Sequence, residues 1–172
     1  MLTVTRRAGR LAGIRFVSPI TDEEMRGFEV DLRSVLAALP GQVVFCTDLR
    51  AARVLTDNVA ERLIGVMRWD NLKVRRTALI LPEGHAVLAL QFERIVRAAG
   101  NPARRTFQHA DQAAQWLAEV LGPAEQDSLL DFLAEGEMAP ASRASVRSSA
   151  RTYNTGPMSC VQGPTPRKLG SR

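Results

Sequence analysis

Two short apolar runs constrain this chain more than any other feature. Gln42 to Thr47 reads QVVFCT and Arg76 to Leu81 reads RTALIL. Each is short for a helix and too continuously apolar for a strand with one face in water. Such runs suit strands covered on both faces, as in a parallel sheet held between helices. A helical pattern comes after each run. Beyond the first, a helix starts near Thr56 to Asn58, with Asn58 and Glu61 as a cap pair and Val59, Leu63, Val66 and Met67 inward. Beyond the second, His85 to Ala99 places Leu88, Phe92, Ile95, Val96 and Ala99 on one face, and Gly100-Asn101-Pro102 ends it. Asp48 is expected to close the first strand and Pro82 the second.

The flanks complete the pattern. Leu2 to Thr5 and the stretch through Leu11, Ile14, Phe16 and Val17 read as two strands joined near Gly9 and closed by Ser18-Pro19. Thr21 and Glu24 form a capping box, with Ile20 placed to staple Met25. Met25, Phe28, Leu32, Val35, Leu36 and Leu39 then line one helical face up to Pro40-Gly41. Arg104 to Phe107 is a last strand, and Asp111 to Leu121 a fourth helix with Ala113, Trp116, Leu117, Val120 and Leu121 on one side. Pro123 at a first helical position opens a short fifth helix containing Leu129, Leu130, Phe132 and Leu133. That helix either packs back on the body or serves as a partner-binding segment. The order β-β-α-β-α-β-α-β-α predicts an α/β fold with a mixed, mostly parallel sheet. The tight link between the first two strands makes that pair antiparallel.

At 172 residues the chain suits one domain with a tail. The net charge of +5 is unevenly spread. Six basic residues and no acid come after Met138, whereas the rest of the chain carries one more acid than base. A nearly neutral body argues against a nucleic-acid-binding face. The expected organisation is a domain over 1–121, a short helix over 122–135 and a disordered basic tail rich in Ser, Pro and Gly over 136–172. No run approaches the ~18 apolar residues of a membrane span, and no apolar leader is visible. Two cysteines, Cys46 and Cys160, demand no oxidising compartment. A cytoplasmic protein is expected.

The segment Val43-Val44-Phe45-Cys46-Thr47-Asp48-Leu49-Arg50, with Val54-Leu55-Thr56-Asp57-Asn58-Val59 after it, resembles the STAS superfamily. Its branch is the one similar to anti-sigma-factor antagonists and compared with Sec14-type lipid carriers. The resemblance covers roughly Leu2 to Leu121. It implies a non-enzymatic regulatory or adaptor module that docks a protein partner, such as a kinase or another regulatory protein. The surface it implies is the loop after the central strand with the next helix start: Asp48, Arg50, Arg53, Thr56, Asp57 and Asn58. In that family a serine there is phosphorylated to break the complex. The serine's place falls here on Asn58 or its neighbour, and no serine lies between Ser34 and Ser128, so that switch is absent in its usual form and Thr56 is the hydroxyl nearby that could be phosphorylated instead. The Sec14-type comparison implies the alternative, a carrier of a small hydrophobic ligand or lipid, with Met67, Phe92 and Phe107 as pocket linings.

Catalytic groups are sparse. His85 and His109 each precede a helix, where the dipole disfavours an imidazolium. Two histidines without clustered cysteines give no zinc spacing, and no cofactor is expected. Cys46 in an apolar strand reads as a small buried hydrophobe. Asp48 stands where ligand crevices of open α/β sheets lie. An enzyme would need Asp48 or Cys46 beside His85 or His109. Trp69-Asp70 reads as helix-end packing. In the tail, Ser145 and Ser148 come after arginines at spacings that basophilic kinases read.

Overall fold

The computed structural model describes residues 1–138. The expectations for Ser145, Ser148 and Cys160 lie outside the described residues. Strands β1 (Leu2–Arg6) and β2 (Leu11–Val17) pair antiparallel around a turn in which Gly9 takes a φ of 55°. The chain continues through α1 (Asp22–Ala38), β3 (Val43–Ala51), α2 (Asp57–Trp69), β4 (Val74–Ile80), α3 (Ala86–Ala99), β5 (Arg104–Phe107), α4 (Ala110–Ala118) and α5 (Pro123–Met138). The sheet order is β1-β2-β3-β4-β5, and every pairing after the first is parallel. The α/β architecture with a mixed, mostly parallel sheet is as the sequence pattern implies.

Period-two alternation sorts each strand between two layers. Ala12, Ile14, Phe16, Phe45, Leu49 and Leu79 face α1, α2 and α3 and form the larger core. Leu11, Val44, Cys46, Ala78 and Ile80 face α4 and α5 and form the smaller one with Leu117, Leu129, Phe132 and Leu133. The fifth helix packs back on the body. Its buried positions, Glu125, Leu129, Phe132 and Leu133, fall on one helical stripe.

Local chemistry fixes the helix starts. Thr21 caps α1, and the full capping box with Glu24 is present. Thr56 caps α2 by accepting from the Val59 N–H. Asn58 is therefore not the cap of α2; its side chain donates instead to the Asp22 carboxylate on α1.

Strand β3 does not end at Asp48 but continues to Ala51. Its neighbours extend it: Asp48 lies opposite Ile80 of β4, and Ala51 opposite Val17 of β2. The polar residues Asp48 and Arg50 are tolerated there because they bond to each other and to groups on β2 and α5. Helix α4 ends at Ala118, short of Leu121.

Candidate functional site

The connection from β3 to α2 leaves the sheet at Ala52 and is pinned from three directions. The Ala52 N–H donates to the Leu49 carbonyl at 2.8 Å. The Arg53 N–H donates to Ser18 Oγ at 2.8 Å. Gln91 on α3 holds Leu55 twice, accepting from its N–H and donating to its carbonyl, each at 2.8 Å. The N–H groups of Ala52, Arg53 and Leu55 and the Leu55 carbonyl are thus occupied, while Arg53, Val54, Thr56, Asp57 and Asn58 face solvent. Val54 is 54% exposed, a large apolar side chain held outward by a fixed loop. Asp22, at the start of α1, joins this end through Asn58 at 2.7 Å.

Asp48 and Arg50 lie elsewhere. They alternate onto the other side of β3, and Asp48 is buried. Asp48 Oδ1 accepts from the Arg50 N–H at 3.1 Å and from Arg50 Nε at 3.0 Å; Oδ2 accepts from Arg50 Nη2 at 3.0 Å. Arg15 on β2 stands 3.9 Å from the same carboxylate. Both arginines then reach α5. Arg50 Nη2 donates to the Leu133 carbonyl at 3.0 Å and Arg15 Nη2 to the Phe132 carbonyl at 2.5 Å. Arg7 donates twice to Glu135, at 2.8 and 2.6 Å, and Arg15 donates to it at 3.2 Å. The Phe132 ring lies under two guanidiniums, 4.4 Å from that of Arg15 and 5.0 Å from that of Arg7. It occupies the space that Gly13 leaves by having no side chain.

No protein-family model matches the chain, and no curated protein matches it. A solved structure does. An uncharacterized protein of the DUF3478 family from Shewanella loihica PV-4, described as having a SpoIIAA-like fold, aligns with a TM-score of 0.52 at 18% identity. The alignment covers 68% of this chain and 92% of that one. The fold is SpoIIAA-like. This is the fold that the resemblance to anti-sigma-factor antagonists implies.

On this SpoIIAA-like frame the six expected docking residues divide into two groups. Thr56, Asp57 and Asn58 stand together at the α2 start, with Arg53 on the loop before them. Asp48 and Arg50 form a separate cluster under the end of α5. Arg7, Arg15, Phe132 and Glu135 complete that cluster, and the sequence pattern alone does not single them out. Alternation in Leu11-Ala12-Gly13-Ile14-Arg15 carries the signal, since it puts Arg15 on the same face as buried Leu11.

The remaining candidates are dispersed. Cys46 is fully buried, and burial, with the charge of Asp48 second, pushes its thiol far above the ordinary range. His109 Nδ1 lies 3.2 Å from Glu83, both exposed, and His85 starts α3 without a side-chain cap. Met67 and Phe92 are packed in the larger core, whereas Phe107 borders the smaller one on the opposite face of the sheet. These three residues therefore line no common cavity. A shallow groove of about 320 Å³ runs instead between α1 and α2, lined by residues that include Arg62, Gly65 and Trp69. Trp69 is 47% exposed, with the Arg33 guanidinium 4.3 Å above its ring.

Proposed function

We propose that this chain is a non-enzymatic regulatory or adaptor module that docks a protein partner at the β3–α2 connection and the first turn of α2. Arg53, Thr56, Asp57 and Asn58 carry the contact, with Val54 as the apolar centre. Asp48 and Arg50 act one step behind, holding the end of β3 from which the loop departs. The observation that carries this reading is the pinned loop. Its backbone is fixed by Ser18 and Gln91 while its side chains are left to solvent. A loop already ordered loses little conformational entropy on binding. Phosphorylation of Thr56 would add charge at this surface and oppose docking of an acidic partner.

The test is capture of partners by the full-length chain with and without Arg53→Glu combined with Asp57→Lys. Both side chains are exposed, so the fold is expected to survive, as checked by circular dichroism. Loss of the partners that the unaltered chain retains is the expected result. Retention of every partner by the folded double variant would remove this surface from the function.

A further inference from the structure

We infer that the sheet face beneath α5 is an acceptor site for an amphipathic helix of a partner protein, and that α5 fills it in cis. The partner helix carries an aromatic residue and, three positions later, a carboxylate. This site is distinct from the β3–α2 surface and does not depend on it.

The chemistry of the occupant is written in the seat. Gly13 leaves a dent in β2 that receives an aromatic ring, and the Arg7 and Arg15 guanidiniums clasp that ring. The same two arginines bind a carboxylate one turn further on, at Glu135. Arg15 and Arg50 also bind the carbonyls of Phe132 and Leu133. Cations are favoured near a helix C-terminus by its dipole. A plain apolar core needs none of these groups. Three partly buried arginines recognise a helix by its direction, its aromatic side chain and its charge.

One further observation points to exchange. The Nε atom of Arg7 is buried without a hydrogen-bond acceptor while α5 is seated, and that of Arg15 has the Asp48 carboxylate 3.9 Å away and no acceptor on α5. The seat thus offers more donors than α5 satisfies, and a helix with one more acceptor there gains what α5 leaves unused.

The experiment uses the full-length chain with Phe132→Ala and Glu135→Arg, which weakens the cis helix. It is titrated with a fluorescein-labelled peptide of residues 123–138, and binding is read by anisotropy. Binding about tenfold tighter than to the unaltered chain, and about tenfold weaker for the peptide carrying Phe132→Ala, is expected from the loss of a central aromatic anchor. Absence of binding to a folded double variant, or equal binding of both peptides, overturns the proposal. Should the double variant fail to fold, hydrogen exchange of the unaltered chain decides. Amides of α5 that open at least about tenfold more often than those of β3 support a seat that empties by local opening. Exchange of α5 only together with β3 overturns it. Light scattering of the unaltered chain completes the test. A concentration-dependent dimer lost on Phe132→Ala makes a second copy the occupant and overturns the assignment to a partner protein.

Discussion

Arg104 and Asp70 are the most deeply buried ion pair among the described residues, with side chains 2% and 4% exposed. Arg104 reaches from β5 to the end of α2, donating to Asp70 Oδ1 at 2.5 Å, to the Met67 carbonyl at 2.9 Å and to Asn71 Oδ1 at 3.1 Å. Burial pushes the Asp70 carboxyl up and the Arg104 guanidinium down, each against the pull of its partner. Desolvation therefore consumes much of what the attraction supplies. Breaking the pair is a different matter, because it strands a charge. Asp70→Ala is expected to cost about 3–5 kcal/mol in urea unfolding, whereas Asp70→Leu with Arg104→Met is expected to lie near the parent stability. A single-variant cost below that of an ordinary surface change would contradict this account. Neither role is legible in the sequence. Arg104 reads there as one residue of a short strand and Asp70 as part of a helix end, because the pairing joins elements more than thirty residues apart. Residues acting locally are legible: Thr21 and Glu24 reveal their capping box through spacing alone, and the structure has it. Asn58 misleads as a cap because Thr56 competes for the same role and sits in the better position.

Elements are easier to read than residues where apolar period decides them, and harder where polar residues continue them. Helices α1 and α3 have the apolar faces that their spacing implies, and both apolar runs are central strands. The end of β3 is not legible, because Asp48 and Arg50 look like a loop until their partners on β2 and α5 are known. Helix α2 carries a feature of its own. Gly65 lies mid-helix, and a Cβ built there meets nothing within 4 Å. The fold does not require this glycine for space or for backbone angle. Gly65→Ala is expected to stabilise the protein by about 0.4–1 kcal/mol, through reduced freedom of the unfolded chain and better helix propensity. Thermal unfolding should show a midpoint a few degrees higher. A lower midpoint would mean that the helix relies on the glycine in a way its surroundings do not reveal.

The described residues form two unequal cores on one sheet, and acid should separate them. The smaller core is closed by α5, whose ends are tied by carboxylates. Burial raises the Glu125 carboxyl, but the N–H groups of Arg10 and Gly122, with the Arg10 charge, outweigh it and hold it below the usual range. Hydrogen bonds from Arg7 lead in lowering Glu135. A carboxyl lowered in the folded state contributes stability above its unfolded value, ordinarily 4.5, and loses it as the pH falls through the folded value. The larger core behaves otherwise. Asp70, raised by burial, binds its proton more readily folded than unfolded, so its contribution is retained in acid and declines as the pH rises. Acidification from neutrality to below the usual carboxylate range therefore weakens the hold on α5 without a matching loss around α2 and β5. Hydrogen exchange, corrected for the intrinsic rate at each pH, should show protection of 123–138 falling relative to 43–51. Glu125→Gln with Glu135→Gln should flatten that difference by lowering α5 protection already at neutral pH. Parallel loss in both segments would mean that the two cores open as one unit, and that the carboxylates of α5 stabilise the molecule as a whole rather than its smaller half.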